Sequence, residues 1–313
     1  MRRRRKGRSD LERQQHIPVM LDEAVDALNV KKGGVYVDGT LGRAGHAREI
    51  LLRGGRVIGI DRDGDAISAV ERLAESGLKA VRGNHGDIAA IVRGEGLEAV
   101  DGILLDLGVS SPQLDEAGRG FSFRNDGPLD MRMDRSGGMT AADIVRNGSE
   151  EDLTNIFRTL GEEPNARRIA KAIVCARSRQ AVETTLQLAE IVEKSAGRRG
   201  AHHPATRVFQ ALRMVVNDEH GELMRALSGG LGSLKTGGRF VVITFESLTD
   251  RTVKRFFSEH EGKMVSLQQG GERWEGLSPR VRRVVRRAVR PSAGERAANP
   301  RSSSAKLRAA ERM

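Results

Sequence analysis

A short apolar run that ends on a carboxylate and then turns through three glycines constrains this chain most: Val35-Tyr36-Val37-Asp38-Gly39-Thr40-Leu41-Gly42-Arg43-Ala44-Gly45-His46. Residues 35–38 read as a strand, and residues from Gly45 onward as a helix. Glycine lets the backbone pass close to a ligand because no Cβ blocks the approach. The first turn of the helix points unpaired N–H groups at whatever lies over the turn. A second apolar run, Arg56-Val57-Ile58-Gly59-Ile60, ends on Asp61, sixteen residues past Gly45. An acid about 20 positions past such a turn commonly takes ribose hydroxyls. Strand, glycine turn, helix, strand and acid make half of a nucleotide-binding, doubly wound α/β fold.

The glycines do not form a clean G-x-G-x-x-G, and no G-x-x-x-x-G-K-[ST] occurs, which argues against a phosphate-cradling loop. Asp38 sharpens the choice. A carboxylate repels a pyrophosphate, whereas S-adenosylmethionine has no phosphate and presents a sulfonium and an ammonium. The turn suits that cofactor better than a dinucleotide. On these residues alone, a dinucleotide site and a purely structural glycine turn stay open. Replacing Asp61 by alanine is expected to weaken cofactor binding with little loss of fold.

The alternation continues along the chain. Leu21, Val25 and Leu28 recur at helical spacing ahead of the first strand. After the glycine turn, Ile50, Leu51 and Leu52 are expected to face the sheet. A helix is expected over residues 65–75 and a third strand over 79–82, followed by Gly83-Asn84-His85. The loop after a third strand flanks the adenine ring in this fold. His85 is therefore a stacking candidate, with a solvated loop histidine as the plain alternative. Gly102-Ile103-Leu104-Leu105-Asp106 is continuously apolar before its acid, as a parallel strand buried on both faces should be. Ligands in such sheets bind beyond the carboxyl ends of the strands. Asp38, Asp61 and Asp106 should therefore converge with Ser110-Ser111-Pro112-Gln113. Enzymes that methylate exocyclic amines of bases often carry a small or acidic residue plus proline there, and Ser111-Pro112-Gln113 is a loose version.

From about Gln113 the pattern changes. Residues 126–134 pack Asp126, Asp130, Asp134 and Arg132 together, and helical periods follow over 149–160, 166–179, 185–195 and 206–216. A doubly wound sheet does not need about 100 helical residues between its fourth and fifth strands. Residues 113–216 are expected to form an inserted helical domain for substrate recognition, with 16–112 and 217–313 forming the α/β domain. Arg167, Arg168, Lys171, Arg177 and Arg179 suit a basic helix face for RNA, or ordinary solvated charge. Residues 234–238 read as a turn, 239–245 as a fifth strand and 250–260 as a helix. Residues 282–289 read as a strand with one charged face, 291–304 as loop and 305–312 as a final strand.

The net charge of +11 sits at the ends of the chain. Residues 1–15 hold seven Lys/Arg against two acids, and residues 275–313 eleven against three. Basic ends suit nucleic-acid phosphates and add affinity without sequence information. For residues 1–15, expected to be disordered, a solubilising tail is the alternative. Aromatic residues make up only 3%, which argues against base-stacking platforms of the single-strand-binding type. No apolar run is long enough for a membrane span, and no apolar segment follows Arg2-Arg3-Arg4-Arg5-Lys6 as a secretory signal requires. The single Cys175 excludes an internal disulfide and fits a reducing cytoplasm. No Cys/His cluster has zinc spacing, and His202-His203 reads as a surface pair, so no metal is expected. The oligomeric state stays open, a homodimer included.

With these motifs in view, the sequence resembles the bacterial methyltransferases that modify N4 of a cytidine in 16S ribosomal RNA, the RsmH (MraW) family. The likeness runs from His16 to about Arg312. It is strongest in residues 37–40, 60–63 and 102–113, in Arg119-Gly120-Phe121-Ser122-Phe123, and in residues 126–134. It is equally strong in His203-Pro204-Ala205-Thr206-Arg207 and Asn299-Pro300-Arg301. The resemblance implies a class I S-adenosylmethionine-dependent methyltransferase, Rossmann-like in fold, with an inserted helical domain. It also implies action on the decoding region of 16S rRNA, on the small ribosomal subunit. Cofactor contacts are implied at Ala44, Gly45, His46, Asp61, His85, Asp106 and Gln113. Four positions depart from the family pattern: Ala44 stands for glycine, Ala47 for serine, His85 for an aromatic and Glu246 for histidine. Imidazole still stacks on adenine, whereas Glu246 argues against a catalytic role at its position.

The chemistry sets its own demands. The N4 lone pair of cytosine is delocalised into the ring, so the enzyme must localise it by accepting its N–H hydrogen bonds. Positioning of this kind supplies up to roughly 7–11 kcal/mol. Acceptors must come from the loop after the fourth strand, so Asp106, Ser110 and Ser111 are the candidate catalytic groups, with Asp130 and Asp134 as second choices. A rival C5 mechanism needs a cysteine nucleophile. Cys175 lies in a helical period far from that loop and reads as a small core residue.

Overall fold

The computed structural model describes residues 18–72, 75–196, 203–266, 271–275 and 279–313. The basic N-terminus, read from sequence as a disordered tail, lies outside them, as does His202. Five parallel strands carry the α/β part: β1 (Val35–Asp38), β2 (Arg56–Asp61), β3 (Leu78–Arg82), β4 (Val100–Leu107) and β5 (Leu234–Thr244). At the far edge, β9 (Lys306–Arg312) runs antiparallel to β5, and β8 (Val281–Arg283) antiparallel to β9. Among the described residues the order is β3-β2-β1-β4-β5-β9-β8. Successive connections run one way from β1 to β3 and the other way from β4 onward. The carboxyl ends of β1 and β4 therefore flank the switch point, where such sheets open a crevice.

Strand side chains alternate between two apolar layers, as the period of two requires. On one face Val37, Ile58, Ile60, Ile103, Leu105 and Val242 pack against α4 (Ile88–Gly94), α11 (Glu219–Ser233) and α12 (Ser247–Glu261). On the other, Tyr36, Val57, Leu104, Val241 and Ile243 pack against α1 (Leu21–Leu28), α2 (Gly45–Leu52) and α3 (Gly64–Glu71). Each fully buried aliphatic side chain contributes about 1.5–3 kcal/mol.

After α5 (Ser111–Asp115) the chain leaves the sheet. It forms α6 (Ala141–Asn147), α7 (Glu150–Thr159), α8 (Ala166–Arg177), α9 (Thr185–Ala196) and α10 (Ala205–Val216) before returning through α11. These helices enclose a third core, including Leu153, Phe157, Ile169, Ile173, Leu188 and Leu212. Capping boxes start two of them. Thr140 and Asp143 exchange side-chain-to-backbone hydrogen bonds at the head of α6, and Ser149 and Asp152 do so at α7. Such caps contribute about 1 kcal/mol each.

Several sequence expectations change. Leu52 does not face the sheet; it is 81% exposed, while Ile50 is buried. Two residues along a helix rotate the side chain by about 200°, so both cannot point inward. Cys175 is exposed rather than in the core, for the same reason: it follows the buried Ile173 by two positions. Residues 234–238 are not a separate turn but the start of β5, where the register against Val100 and Gly102 shifts and Gly237 takes a φ of 77°. Of the valine–arginine run 282–289, residues 282 and 283 pair within β8, and Val289 forms an isolated antiparallel bridge to Leu307. The expected loop 291–304 contains α13 (Ala293–Ala298), whose Glu295 accepts from the Met20 backbone N–H at 2.8 Å. Helix α4, with Ile88, Ile91 and Val92 at helical spacing, and the hairpin β6 (Lys263–Ser266) with β7 (Glu272–Glu275) add to the elements expected from the sequence. Among the described residues, no helix is long and apolar enough to cross a membrane.

Gly59 in β2 touches the glycine turn directly. A Cβ there would stand 2.5 Å from Leu41 Cδ1 and 2.7 Å from its Cδ2. Gly59→Ala is expected to destabilise the protein by about 1–3 kcal/mol through overpacking. Denaturant titration checks this, and an unchanged midpoint would show that Leu41 yields freely.

Candidate active site

The turn after β1 is built by close contacts. Gly39 continues the sheet, its N–H donating to Leu104 O at 2.9 Å. A Cβ on Gly39 would lie 2.5 Å from Leu105 Cδ2 and 3.3 Å from His85 Cβ. Gly45 faces Pro18, whose Cγ would stand 2.3 Å from an added Cβ. Ala44 takes φ 60°, a left-handed conformation at the N-cap of α2, which costs an L-residue about 1–2 kcal/mol. The His46 ring is buried, with Nε2 donating to Val19 O at 3.0 Å. It ties the segment before α1 to α2, which leaves contacts above the turn to the backbone.

Three carboxylates converge as the sequence predicts, and each is handled differently. Asp38 is buried, with Oδ1 accepting from Thr40 N at 3.2 Å. Thr40 Oγ1 accepts from the Asp106 backbone N–H at 2.7 Å, joining the two strand ends. Asp61 uses both oxygens on backbone: Oδ1 accepts from Asp63 N and Oδ2 from Gly42 N, each at 2.9 Å. Asp106 Oδ1 is buried without a protein partner. Burial, then the charge of Asp38, pushes Asp106 up to about 7. Burial, with Asp61 nearby and the Thr40 N–H opposing, pushes Asp38 up to about 7. Asp61 is also raised by burial.

His85 is not a solvated loop histidine. Its Cβ lies against Gly39, and its Nε2 is shielded from solvent and unpartnered. Burial, with the Arg62 and Arg225 charges, lowers its pKa to about 3. At neutral pH the ring is therefore a neutral aromatic plate.

The loop beyond β4 is braced rather than open. Ser110 N donates to Gln113 Oε1 at 3.0 Å, and Gln113 Nε2 reaches Asp63 Oδ2 at 3.4 Å. Ser111 opens α5. Phe245, after β5, packs on Gly108, where an added Cβ would lie 3.0 Å from its Cδ2. The second-choice acceptors are already engaged. Asp130 forms a two-pronged pair with Arg132 at 2.7 and 3.0 Å. Asp134 pairs with Arg82 at 3.1 Å and caps Ser136. Glu246 is held by the half-buried Arg213 at 2.9 Å, which also grips Glu219 through two hydrogen bonds. Sequence reasoning missed Thr40, Asp63, Arg119 and Asn217. Asp63 had a signal, an N-cap pattern ahead of α3. Arg119, which pairs with Asp63 from 56 residues away, had only its place in the motif of residues 119–123.

The donor set fits S-adenosylmethionine. Buried acids face where its cationic centres and ribose hydroxyls would lie, glycines leave room for its backbone-hugging path, and a neutral ring borders the base. Asp106 Oδ1, His85 Nε2 and Asn84 Oδ1 are buried polar atoms that the protein itself leaves unpaired, and each needs a partner. No group of residues able to hold a metal occurs among the described residues. Strand order and site together define a class I S-adenosylmethionine-dependent methyltransferase.

Comparison with known proteins narrows the class. Residues 13–313 match the MraW methylase family, and the chain belongs to that family. Relatives that carry the name Ribosomal RNA small subunit methyltransferase H include the following three. That of Nitrosomonas eutropha is 47% identical over 310 residues, covering 95% of this chain and 97% of the relative. That of an Azoarcus species is 49% identical over 302 residues, with 95% and 97% covered. That of Methylobacterium nodulans is 50% identical over 310 residues, with 95% and 90% covered.

Asp61→Ala is expected to weaken S-adenosylmethionine binding by roughly 10- to 150-fold, the effect of losing a charged hydrogen bond. Because Asp61 also holds Gly42 N, the substitution lowers thermal stability as well, contrary to the sequence expectation. Calorimetry and a melting curve read the two effects separately, and unchanged affinity removes Asp61 from the site.

A pH dependence follows from the raised acids. Asp38 and Asp106 hold protons more tightly folded than unfolded, so their contribution to stability is complete below about pH 4 and is lost as pH rises through about 7. A cationic ligand favours their ionised forms. Cofactor binding should therefore release protons and tighten between pH 6 and 8. Calorimetry in buffers of different ionisation enthalpy measures this, and pH-independent affinity without proton release counts against it.

Proposed function

We propose that the protein transfers the methyl group of S-adenosylmethionine to N4 of a cytidine in the decoding region of 16S rRNA, on the small ribosomal subunit in the cytoplasm. The observation that carries the chemistry is the unpartnered Oδ1 of Asp106, at the mouth of the loop that leads to Ser110 and Ser111. The choice of RNA draws on the names of the relatives. The cofactor supplies an electrophilic methyl carbon on sulfur. Asp38 would favour its positive charge, Asp61 would take the ribose hydroxyls, and His85 would stack on the adenine. The turn backbone at Ala44, Gly45 and His46 would hold its methionine portion, and Gln113 braces the loop beyond β4.

Asp106, together with Ser110 and Ser111 of the loop that follows, accepts hydrogen bonds from the exocyclic N–H groups and so aims the N4 lone pair. A carboxyl whose pKa lies near 7 also suits removal of the proton that N4 sheds after methylation. Residues 113–216 form the inserted substrate-recognition domain in this reading. With the basic termini, it grips RNA by shape and phosphate while the target base is unstacked. Cys175, exposed on α8 within the helical part, has no place in this chemistry.

Small subunits from an unmethylated strain, incubated with protein and labelled cofactor, should yield N4-methylcytidine on nucleoside mass analysis. Label at C5 or on adenine overturns the proposal. Cys175→Ala should keep methyl transfer within about twofold of the parent, since an exposed thiol contributes little to packing. Complete loss in a folded variant would revive the C5 mechanism.

A further inference from the structure

The loop that carries the ribose acid is stitched to the helical part by a buried polar seam. Asp63 lies two residues past Asp61, which holds its backbone N–H at 2.9 Å. Asp63 Oδ1 caps α3 by accepting from Asp65 N at 3.1 Å. Its Oδ2 accepts from Arg119 Nη1 at 3.1 Å and from Gln113 Nε2 at 3.4 Å. The Arg119 side chain is 4% exposed and that of Asp63 13%. Through Nη2 the same guanidinium donates to the carbonyls of Met133 at 3.0 Å and Arg132 at 3.3 Å. Met133 N donates to Asn217 Oδ1, and Asn217 Nδ2 to Met131 O, both at 2.8 Å. These bonds hold Met131 in a left-handed conformation of φ 64°. Finally Arg62 Nη1, next to Asp61 in sequence, donates to Asn217 O at 3.0 Å. The seam closes on itself.

Its stations fall in two groups. Arg62 and Asp63 belong to the loop below the cofactor ribose, and Gln113 to the loop beyond β4. Residues 119 and 131–133, with Asn217 between α10 and α11, tie the helical part to them. A guanidinium is planar and offers its donors in a fixed fork. Moving Asp63 therefore moves the carbonyls of 132 and 133 with it.

We propose that Asp63 and Arg119 are positioning residues through which cofactor binding and RNA binding strengthen each other. The proposal rests on the reading that the helical domain contacts RNA. Ribose hydroxyls on Asp61 fix the loop, the loop fixes Asp63, and the seam then fixes the orientation of the RNA-gripping helices. By linkage, bound RNA tightens the cofactor by the same factor.

The test uses the full chain, unmethylated small subunits and S-adenosylhomocysteine as an unreactive probe. In the parent protein the probe should tighten subunit binding by about fivefold or more. Asp63→Asn and Arg119→Lys should bring that factor close to one. Asp250→Asn should leave it unchanged, because the buried pair of Asp250 with Arg308, 2.7 Å apart, lies outside the seam. A factor of one in the parent overturns the proposal, as does a retained factor in Arg119→Lys, which keeps the charge. Failure of the parent to bind subunits at all overturns the functional reading, and the coupling with it.

Discussion

Three carboxylates at the carboxyl edge of one sheet govern the rest of this structure. Like charges brought together away from water oppose ionisation, and no arginine or lysine of the chain pairs directly with Asp38, Asp61 or Asp106 among the described contacts. Backbone N–H groups hold Asp38 and Asp61 instead, and the Thr40 hydroxyl accepts from the Asp106 backbone N–H. Those contacts shape the glycine turn, fix the spacing of β1, β2 and β4, and leave one oxygen of Asp106 free. A cationic ligand is the natural complement of such a site, so the glycine turn and the choice of cofactor are two results of one electrostatic constraint.

The parts legible in the sequence were those set by local pattern. Apolar runs ending on acids located β1, β2 and β4 because a strand buried on both faces must read that way. The helical periods over 149–216 matched α7 to α10 within a residue or two, since each buries a stripe at helical spacing. Helix α6, with seven residues, shows a single stripe of Ala141, Ile144 and Val145 at helical spacing. The turn at 234–238 was misplaced because a bulge and a positive-φ glycine carry β5 through what reads as a stop signal. Leu52 and Cys175 read as inward by residue type, whereas their rotation about the helix axis turns them outward.

Within the site, the acids and His85 were legible because strand ends point to them. The braces were not. Asp63, Arg119 and Asn217 meet through tertiary contacts across 14 to 86 residues, and charge alone would have sent Arg119 to the surface. The same limit explains Asp130 and Asp134. A cluster of acids and one arginine looks like chemistry in sequence, and only geometry reveals Arg132 clasping one and Arg82 the other.

The place of β9 has a consequence for how the chain is made. This strand lies between β5 and β8 and pairs with β5 along its length, yet Lys306 follows Thr244 by 62 residues. During synthesis, β5 therefore emerges with one edge unpaired and stays so while the intervening segment is translated. An open edge of this kind is a template for wrong pairing. The helical part, finished by Val216 and holding a core of its own, faces no such delay. The nascent chain thus passes through a stage in which the helical part can be compact while the methyl-transferring sheet is still unsealed, which is where chaperone protection matters most.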